Sequence, residues 1–321
     1  MATAVVTGGF GFIGSHLVER LVAAGVDVTV YDPAPPPPDL ACDPSAVRHV
    51  AADVRDERAL GLVITPEVDV VYHLCALVGV DQYLHDPLDV IDVNVLGTRN
   101  VLRAAHEVGA KLLVASTSEV YGRNPDPPWT EDSQRVLGST AADRWSYSSS
   151  KAVAEHLTFA YARQHGLRAA IVRYFNVYGP RQRPAYVVSK TVHHVLNGVA
   201  PLLYDSGEQT RCFTYVDDAV EATLLAAASP EAEGECFNIG SDRETTMAEA
   251  VRTVIEVAGS TTRPRMIDTA AVLGAGYEDI PRRVPDVAKA WRVLGWRSRT
   301  SLRDGLERTV EWAKANPWWL A

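Results

Sequence analysis

An α/β fold is expected, a doubly wound parallel sheet followed by a smaller α+β lobe, and three features predict it. Short β-branched runs alternate with amphipathic helical stretches through the first half of the chain. Some runs, such as 68–71 and 169–172, are apolar on consecutive residues, as strands covered on both faces are. A glycine-rich turn joins the first run to the first helix. In order, the spacing predicts a strand at 3–6, a helix over 13–24, a strand at 27–31 and another at 68–73. A helix over 93–108, a strand at 111–115, a helix over 148–165 and a strand at 169–174 follow. The second half is less regular. It carries a strand-like 235–240, helices near 217–228 and 247–258, and a Trp-rich helix over 302–315. Residues 33–38 form a proline-rich run, read as a stiff surface connector.

Composition narrows the functional classes. With 321 residues, 47% hydrophobic and 22% charged, the chain can bury one large core or two smaller ones, which excludes disorder, collagen and small disulfide scaffolds. Lys and Arg number 31 against 40 Asp and Glu, a net charge of -9 and the wrong sign for tracking a phosphate backbone, so no nucleic-acid partner is expected. Cys42, Cys75, Cys212 and Cys236 form no C-x-x-C pair, which argues against a zinc knuckle or disulfide framework and for a reducing cytoplasm. The first eighteen residues lack charge, yet glycines interrupt them and no basic segment precedes them. A spanning helix needs about 20 mostly apolar residues, so neither secretion nor a membrane partner is expected. His193 and His194 share a helix with no carboxylate or cysteine at ligand spacing, so no metal site is expected.

The turn Thr7-Gly8-Gly9-Phe10-Gly11-Phe12-Ile13-Gly14 follows the first strand and opens the first helix. In that context Gly8, Gly11 and Gly14 allow a tight turn, close approach to a pyrophosphate and close helix packing. The amides of Phe12 and Ile13 face the negative charge. Asp32 ends the second strand roughly 20 residues on, where a carboxylate accepts a ribose 2′-OH and repels a 2′-phosphate. No Lys or Arg follows before Arg48, so the cofactor is expected to be NAD rather than NADP. Asp53-Val54 closes the next expected strand, Asp53 serving either the adenine edge or a local cap. These features make residues 1–175 a Rossmann-type NAD-binding domain and leave 176–321 as a substrate-binding lobe, with about 212–230 packing back on the first.

Tyr147-Ser148-Ser149-Ser150-Lys151 puts a phenol and an ammonium on one helix face. Free tyrosine has a pKa near 10, and a fixed cation lowers it toward the range of a usable base. Ser116-Thr117-Ser118-Glu119 ends the preceding strand, where the Thr117 hydroxyl can join the pair. His73 ends a strand nearby and is read as a packed core histidine, because the Tyr/Lys pair already fills the role of base.

With those motifs in place, the chain resembles the extended short-chain dehydrogenase/reductase family acting on nucleotide-sugars. The matching text is the glycine turn, His73-Leu74-Cys75-Ala76, Asn94-Val95-Leu96-Gly97-Thr98, Tyr147/Lys151, Phe175-Asn176-Val177-Tyr178-Gly179-Pro180 and Arg211-Cys212-Phe213-Thr214-Tyr215-Val216-Asp217-Asp218. The resemblance implies that Leu74 and Ala76 line the cofactor and that NAD+ oxidises a sugar C4 hydroxyl. It makes Tyr147 the base, has Lys151 tune that base and bind the nicotinamide ribose, and has Thr117 bond the reacting oxygen.

Ser118-Glu119 after Thr117 is similar to UDP-glucuronate decarboxylases and also to GDP-mannose 4,6-dehydratases, whereas Asn176-Val177-Tyr178-Gly179-Pro180-Arg181 is unlike the latter. The stretches 144–151 and 276–283 resemble the decarboxylase domain of the bacterial aminoarabinose lipid-A pathway. By that resemblance Glu119 and Arg283 serve the decarboxylation, and Tyr83, Tyr277, Asn176 and Arg211 hold the UDP-sugar. Arg283 has a second reading, binding of the diphosphate alone. Leu202 stands where that domain has a nucleotide-binding lysine. A 4,6-dehydratase or 4-epimerase is the alternative reaction and a non-catalytic nucleotide binder a different class. The family's pairing of its two long helices into a four-helix bundle implies a homodimer.

Overall fold

The computed structural model describes residues 2–269, 271 and 280–321. Seven parallel strands form its main sheet, in the order β11-β6-β5-β4-β1-β2-β3. They are β1 (Thr3–Thr7), β2 (Asp27–Tyr31), β3 (Val47–Val50), β4 (Val70–His73), β5 (Lys111–Thr117), β6 (Ala169–Tyr174) and β11 (Cys236–Ile239). Consecutive residues enter different cores. Ala4, Val6, Val28, Val30, Leu113, Ala170 and Val172 face one cluster, while Val5, Tyr31, Leu112, Val114 and Ile171 face the other. This is why the strands are apolar without alternation. The first face is covered by α1 (Phe12–Ala23) through Leu17, Val18 and Leu21, and by α7 (Val216–Ala228) through Val216, Ala219 and Val220. The second takes Leu60 and Val63 of α2 (Glu57–Val63) and Val101, Leu102 and Ala105 of α4 (Pro87–Val108). Beside α4 lies α5 (Ser146–His165).

Several boundaries differ from expectation for local reasons. Helix α4 begins at Pro87, six residues before its apolar period is evident, because Asp86 caps it and proline suits the first helical position. Strand β3 ends at Val50, so Asp53 and Val54 lie beyond it rather than closing it. Strand β11, expected within the second half's own lobe, is the edge strand of the main sheet and pairs with β6. Helix α7 packs on α1, β5 and β6.

Smaller sheets complete the chain. They comprise β7 (Val177–Tyr178) with β10 (Thr214–Tyr215), β8 (Leu202–Tyr204) with β13 (Arg265–Ile267), and β9 (Thr210–Cys212) between β12 (Glu244–Thr246) and β14 (Arg282–Arg283). Asp218 explains how the C-terminal segment is tied to α7. Its carboxylate accepts from the Ser298 hydroxyl and the Arg299 and Thr300 amides, and its carbonyl accepts from the Trp296 indole. Among the described residues no helix is long and apolar enough to cross a membrane, and no group of three acidic, His or Cys side chains is placed to hold a metal ion.

Candidate active site

The strand order reverses direction at β1 and β4, and ligands of such sheets bind outside the carboxyl ends of the strands at that switch point. Gly8 follows β1 with φ +70, and a Cβ there would lie 2.7 Å from the Cys75 amide nitrogen. A Cβ on Gly14 would collide with the Gly8 carbonyl oxygen. The glycines therefore let the turn, α1 and the segment after β4 approach one another. Gly11 is the N-cap of α1 and supplies no side chain, so the first amides of the helix, those of Phe12 and Ile13 among them, keep their donors for an anion. The Asp32 carboxylate is buried at the end of β2, accepting from the Phe10 amide at 3.0 Å and the Ala34 amide at 2.9 Å. A cradle that any Cβ would fill, unpaired helix amides and an acidic group beyond β2 together fit NAD.

The floor of this cradle is a neutral hydrogen-bond chain. Thr98 donates to the Asn94 carbonyl at 2.6 Å, so its oxygen accepts from His73 Nε2 at 3.0 Å, leaving His73 Nδ1 to accept from Thr7 at 2.7 Å. Burial, with Lys151 adding to it, pushes the His73 pKa down to about 3. His73 is thus a satisfied core histidine, as the sequence suggests. Asn94 clamps the segment carrying Leu74 and Ala76 by bonding both the amide and the carbonyl of Leu77. Asp53 is committed to Arg55, accepting from its amide, Nε and Nη2, which is the local-cap arrangement. Val54 packs against Gly97, whose missing Cβ makes the room.

Tyr147 and Lys151 lie on the buried face of α5. The Thr117 hydroxyl lies near enough to the Tyr147 phenol to act on its pKa. Burial is the largest influence on that phenol and raises its pKa, with Tyr186 and Glu119 adding to the effect, while Thr117 and Arg283 oppose it. The main cation opposing burial is therefore Arg283. Burial lowers Lys151 to about 8, with Glu155 and Cys75 opposing, so its ammonium is mostly charged at neutral pH.

Glu119 is the centre of a second group. One carboxylate oxygen lies 2.7 Å from Arg283 Nη1 and the other 2.8 Å from Arg144 Nη2. Burial alone would raise this carboxyl, but Arg283 and Arg144 outweigh it and hold the pKa down to about 2. Ser148 donates to the Glu119 carbonyl at 2.7 Å, and Ser118 lies 3.5 Å from Arg283 Nη1. Arg283 is the register partner of Arg211 across β14 and β9, and Arg211 donates to the Thr210 and Ile280 carbonyls. Asn176, at φ +40, donates to the Cys212 carbonyl.

Thr117, Ser118, Glu119, Tyr147, Lys151 and Arg283 are thus brought together, with Arg211 beside them. The side chain of Tyr83 and the whole of Tyr277 lie outside the described residues. Arg144 was missed as a site residue. Its signal was its place at the start of the stretch 144–151 that carries the decarboxylase resemblance.

Residues 4–240 match the model of the NAD dependent epimerase/dehydratase family. The chain is similar to a UDP-N-acetyl-alpha-D-glucosaminuronate decarboxylase of Bacillus cytotoxicus, at 38% identity over 96% of each protein. It is similar to UDP-glucuronic acid decarboxylase 1 of Xenopus tropicalis at 34% identity over 96% of this chain and 71% of that one. Among solved structures, the UDP-glucose 4-epimerase of Thermotoga maritima superposes with a TM-score of 0.89 at 30% identity, over 98% of this chain and 99% of that one.

Proposed function

This chain belongs to the NAD-dependent epimerase/dehydratase family, and on that premise we propose that it oxidises C4 of a UDP-linked uronic acid and then decarboxylates it. NAD is its cofactor, and when bound it supplies a hydride acceptor for the C4 hydrogen and a positively charged ring. The observation that carries the reading is Glu119 held against Arg283 beside the Thr117–Tyr147 pair. Simple epimerisation of a neutral sugar asks for no such buried charge group.

The residues divide the work as follows. Tyr147 accepts the O4 proton while hydride leaves C4, and Thr117 bonds the same oxygen. The C6 carboxylate is then β to a ketone, so the C5–C6 bond can break with its electron pair flowing into the C4 carbonyl. Donors from Thr117 and Tyr147 to the enolate oxygen stabilise that step by about 2.7–4 kcal/mol each, the scale of an oxyanion-hole bond. Arg283 holds the departing carboxylate, and a water positioned by Glu119 protonates C5. Return of the hydride gives a UDP-pentose, and its loss to solution as NADH gives the 4-keto sugar. Asn176 and Arg211 hold the UDP-sugar, together with Tyr83 and Tyr277.

The test is to incubate the protein with NAD+ and either UDP-glucuronate or its 2-acetamido analogue, measuring carbon dioxide, NADH and the sugar product. Carbon dioxide from at least one is expected. An epimerised acid without carbon dioxide would replace the reading with 4-epimerisation.

The reading extends to assembly and place. Leu88 (74% exposed), Ile91 and Leu96 on α4 and Val153 on α5 are apolar side chains on the outside of the two longest helices. We assign them to a dimeric four-helix bundle. Sedimentation should give the mass of two chains, and Leu88→Glu with Ile91→Glu should shift it to one. A wild-type monomer at micromolar concentration would end this assignment. The reading places the enzyme in the cytoplasm, where its four free cysteines stay reduced.

A further inference from the structure

The strands beneath the site change character at one level. Val114, Ile171 and Cys236 are register partners across β5, β6 and β11 and enter the second apolar cluster. Two residues nearer the carboxyl ends, on the same face, the row becomes Ser116, Arg173 and Asn238, all buried. Helix α5 meets this row with the buried Glu155, four residues after Lys151 and eight after Tyr147, and so on their face. One Glu155 oxygen accepts from the Ser116 hydroxyl at 2.5 Å and from Arg173 Nε at 2.9 Å, and the other accepts from Arg173 Nη2 at 2.6 Å. Arg173 Nη1 donates to the Tyr121 hydroxyl at 2.7 Å, and Tyr121 ends the turn Ser118–Tyr121 that carries Glu119. Tyr121 donates onward to Asn238 Oδ1 at 2.7 Å. Glu155 and Arg173 together therefore join the helix of Tyr147 and Lys151, the strand end of Thr117 and the turn of Glu119.

We propose that Glu155 and Arg173 are positioning residues, a buried ion pair that holds the Tyr147 phenol in place beside the Thr117 hydroxyl. The proposal rests on the C4 oxidation given above and not on the decarboxylation. Stability alone does not account for the pair, since a buried ion pair replaced by apolar side chains of similar volume is often as stable or more so. What apolar packing lacks is a single geometry. An apolar row constrains a helix by shape, whereas a two-point contact between carboxylate and guanidinium fixes distance and plane together. Ser116 directly precedes Thr117, so its bond to Glu155 carries that constraint to the hydroxyl that meets the sugar oxygen. Hydride and proton transfer need such placing, and an error of about 1 Å can cost about 100-fold in rate.

The test uses the NAD-loaded enzyme and UDP-glucuronate. It reads NADH absorbance in a single turnover, affinities by calorimetry, and the Cζ NMR resonance of Tyr147 in tyrosine-labelled protein, assigned by its loss in Tyr147→Phe. Glu155→Leu with Arg173→Met should melt no lower than the wild type and bind both ligands as tightly. It should nevertheless form NADH about 100-fold more slowly, with the Tyr147 resonance displaced. Ser116→Ala keeps the ion pair and cuts only its tie to the strand, and should lose about 10-fold in the same rate at unchanged affinity. A double variant that forms NADH at the wild-type rate, or that slows only because it holds less NAD and leaves the resonance unmoved, would overturn the proposal and make the pair a part of the fold alone. Should the double variant fail to fold, Ser116→Ala decides: a slower rate at full affinity supports the proposal, and the wild-type rate with an unmoved resonance overturns it. A wild type that forms no NADH from UDP-glucuronate or its 2-acetamido analogue ends the reaction assigned above. The Tyr147 resonance then judges this proposal by itself, displaced in the variants if it holds and unmoved if it does not.

Discussion

Tyr147→Phe is expected to lower turnover by about 100- to 10,000-fold, the contribution of a positioned general base, while the nucleotide-sugar and NAD still bind. The substitution is close to a pure test. The ring packs beside Val90 and Leu77, and phenylalanine keeps that packing while removing the hydroxyl on which Thr117 acts. The phenol begins from an unfavourable position, since burial raises its pKa, and must be drawn down by charge. Arg283 and the Thr117 hydroxyl already act in that direction, and Lys151, with a pKa of about 8, supplies a charge that persists at neutral pH. Lys151→Met should therefore reduce the rate as well and shift the pH–rate profile of what remains to higher pH. Absorbance of NADH in a single turnover reports the first chemical step directly. A Tyr147→Phe protein that forms NADH at the wild-type rate would remove this residue from the mechanism.

The cofactor half of the site was legible because its signals are local. Strand, glycine turn, helix and a carboxylate at the next strand end occur within residues 3–32, and a spacing of four alone puts Tyr147 and Lys151 on one face. The sugar half was named only through the family resemblance, because its geometry comes from long-range register. Nothing near Arg283 says that it pairs across β14 and β9 with Arg211, or that it meets Glu119 some 160 residues earlier in the chain. Strand β11 is equally silent: Cys236–Ile239 reads as a buried strand, but only its pairing with β6 shows which sheet takes it. Arg144, within the stretch 144–151, was given no role because its burial follows from the fold around it. The tryptophans show the same limit. Trp296 is fully buried through its bond to the Asp218 carbonyl, whereas Trp291 is 48% exposed, though the two sit in similar surroundings in the sequence.

Glu119→Gln should separate the two halves of the reaction, leaving C4 oxidation measurable as NADH while carbon dioxide release falls by about 100-fold or more. A neutral amide has one acceptor oxygen and no charge, so it cannot pair both guanidiniums, and Arg283 loses the charge that aims it. The same change has a thermodynamic signature. Removing one partner from a buried ion pair costs about 3–5 kcal/mol, because it strands the opposite charge. Since the Glu119 carboxyl is held near 2, below its unfolded value, its stabilisation is complete above roughly pH 4.5 and is lost as the pH falls toward 2. The variant should therefore be least stable relative to the wild type at neutral pH, and the gap should close on acidification. Thermal melts from neutral to acid pH, run beside the carbon dioxide assay, read both effects in one protein. Two outcomes would remove Glu119 from the decarboxylation: carbon dioxide release at the wild-type rate, or equal loss of NADH formation and carbon dioxide in a variant that still binds NAD. A stability gap that does not depend on pH would mean that the carboxylate is not the charge those arginines require.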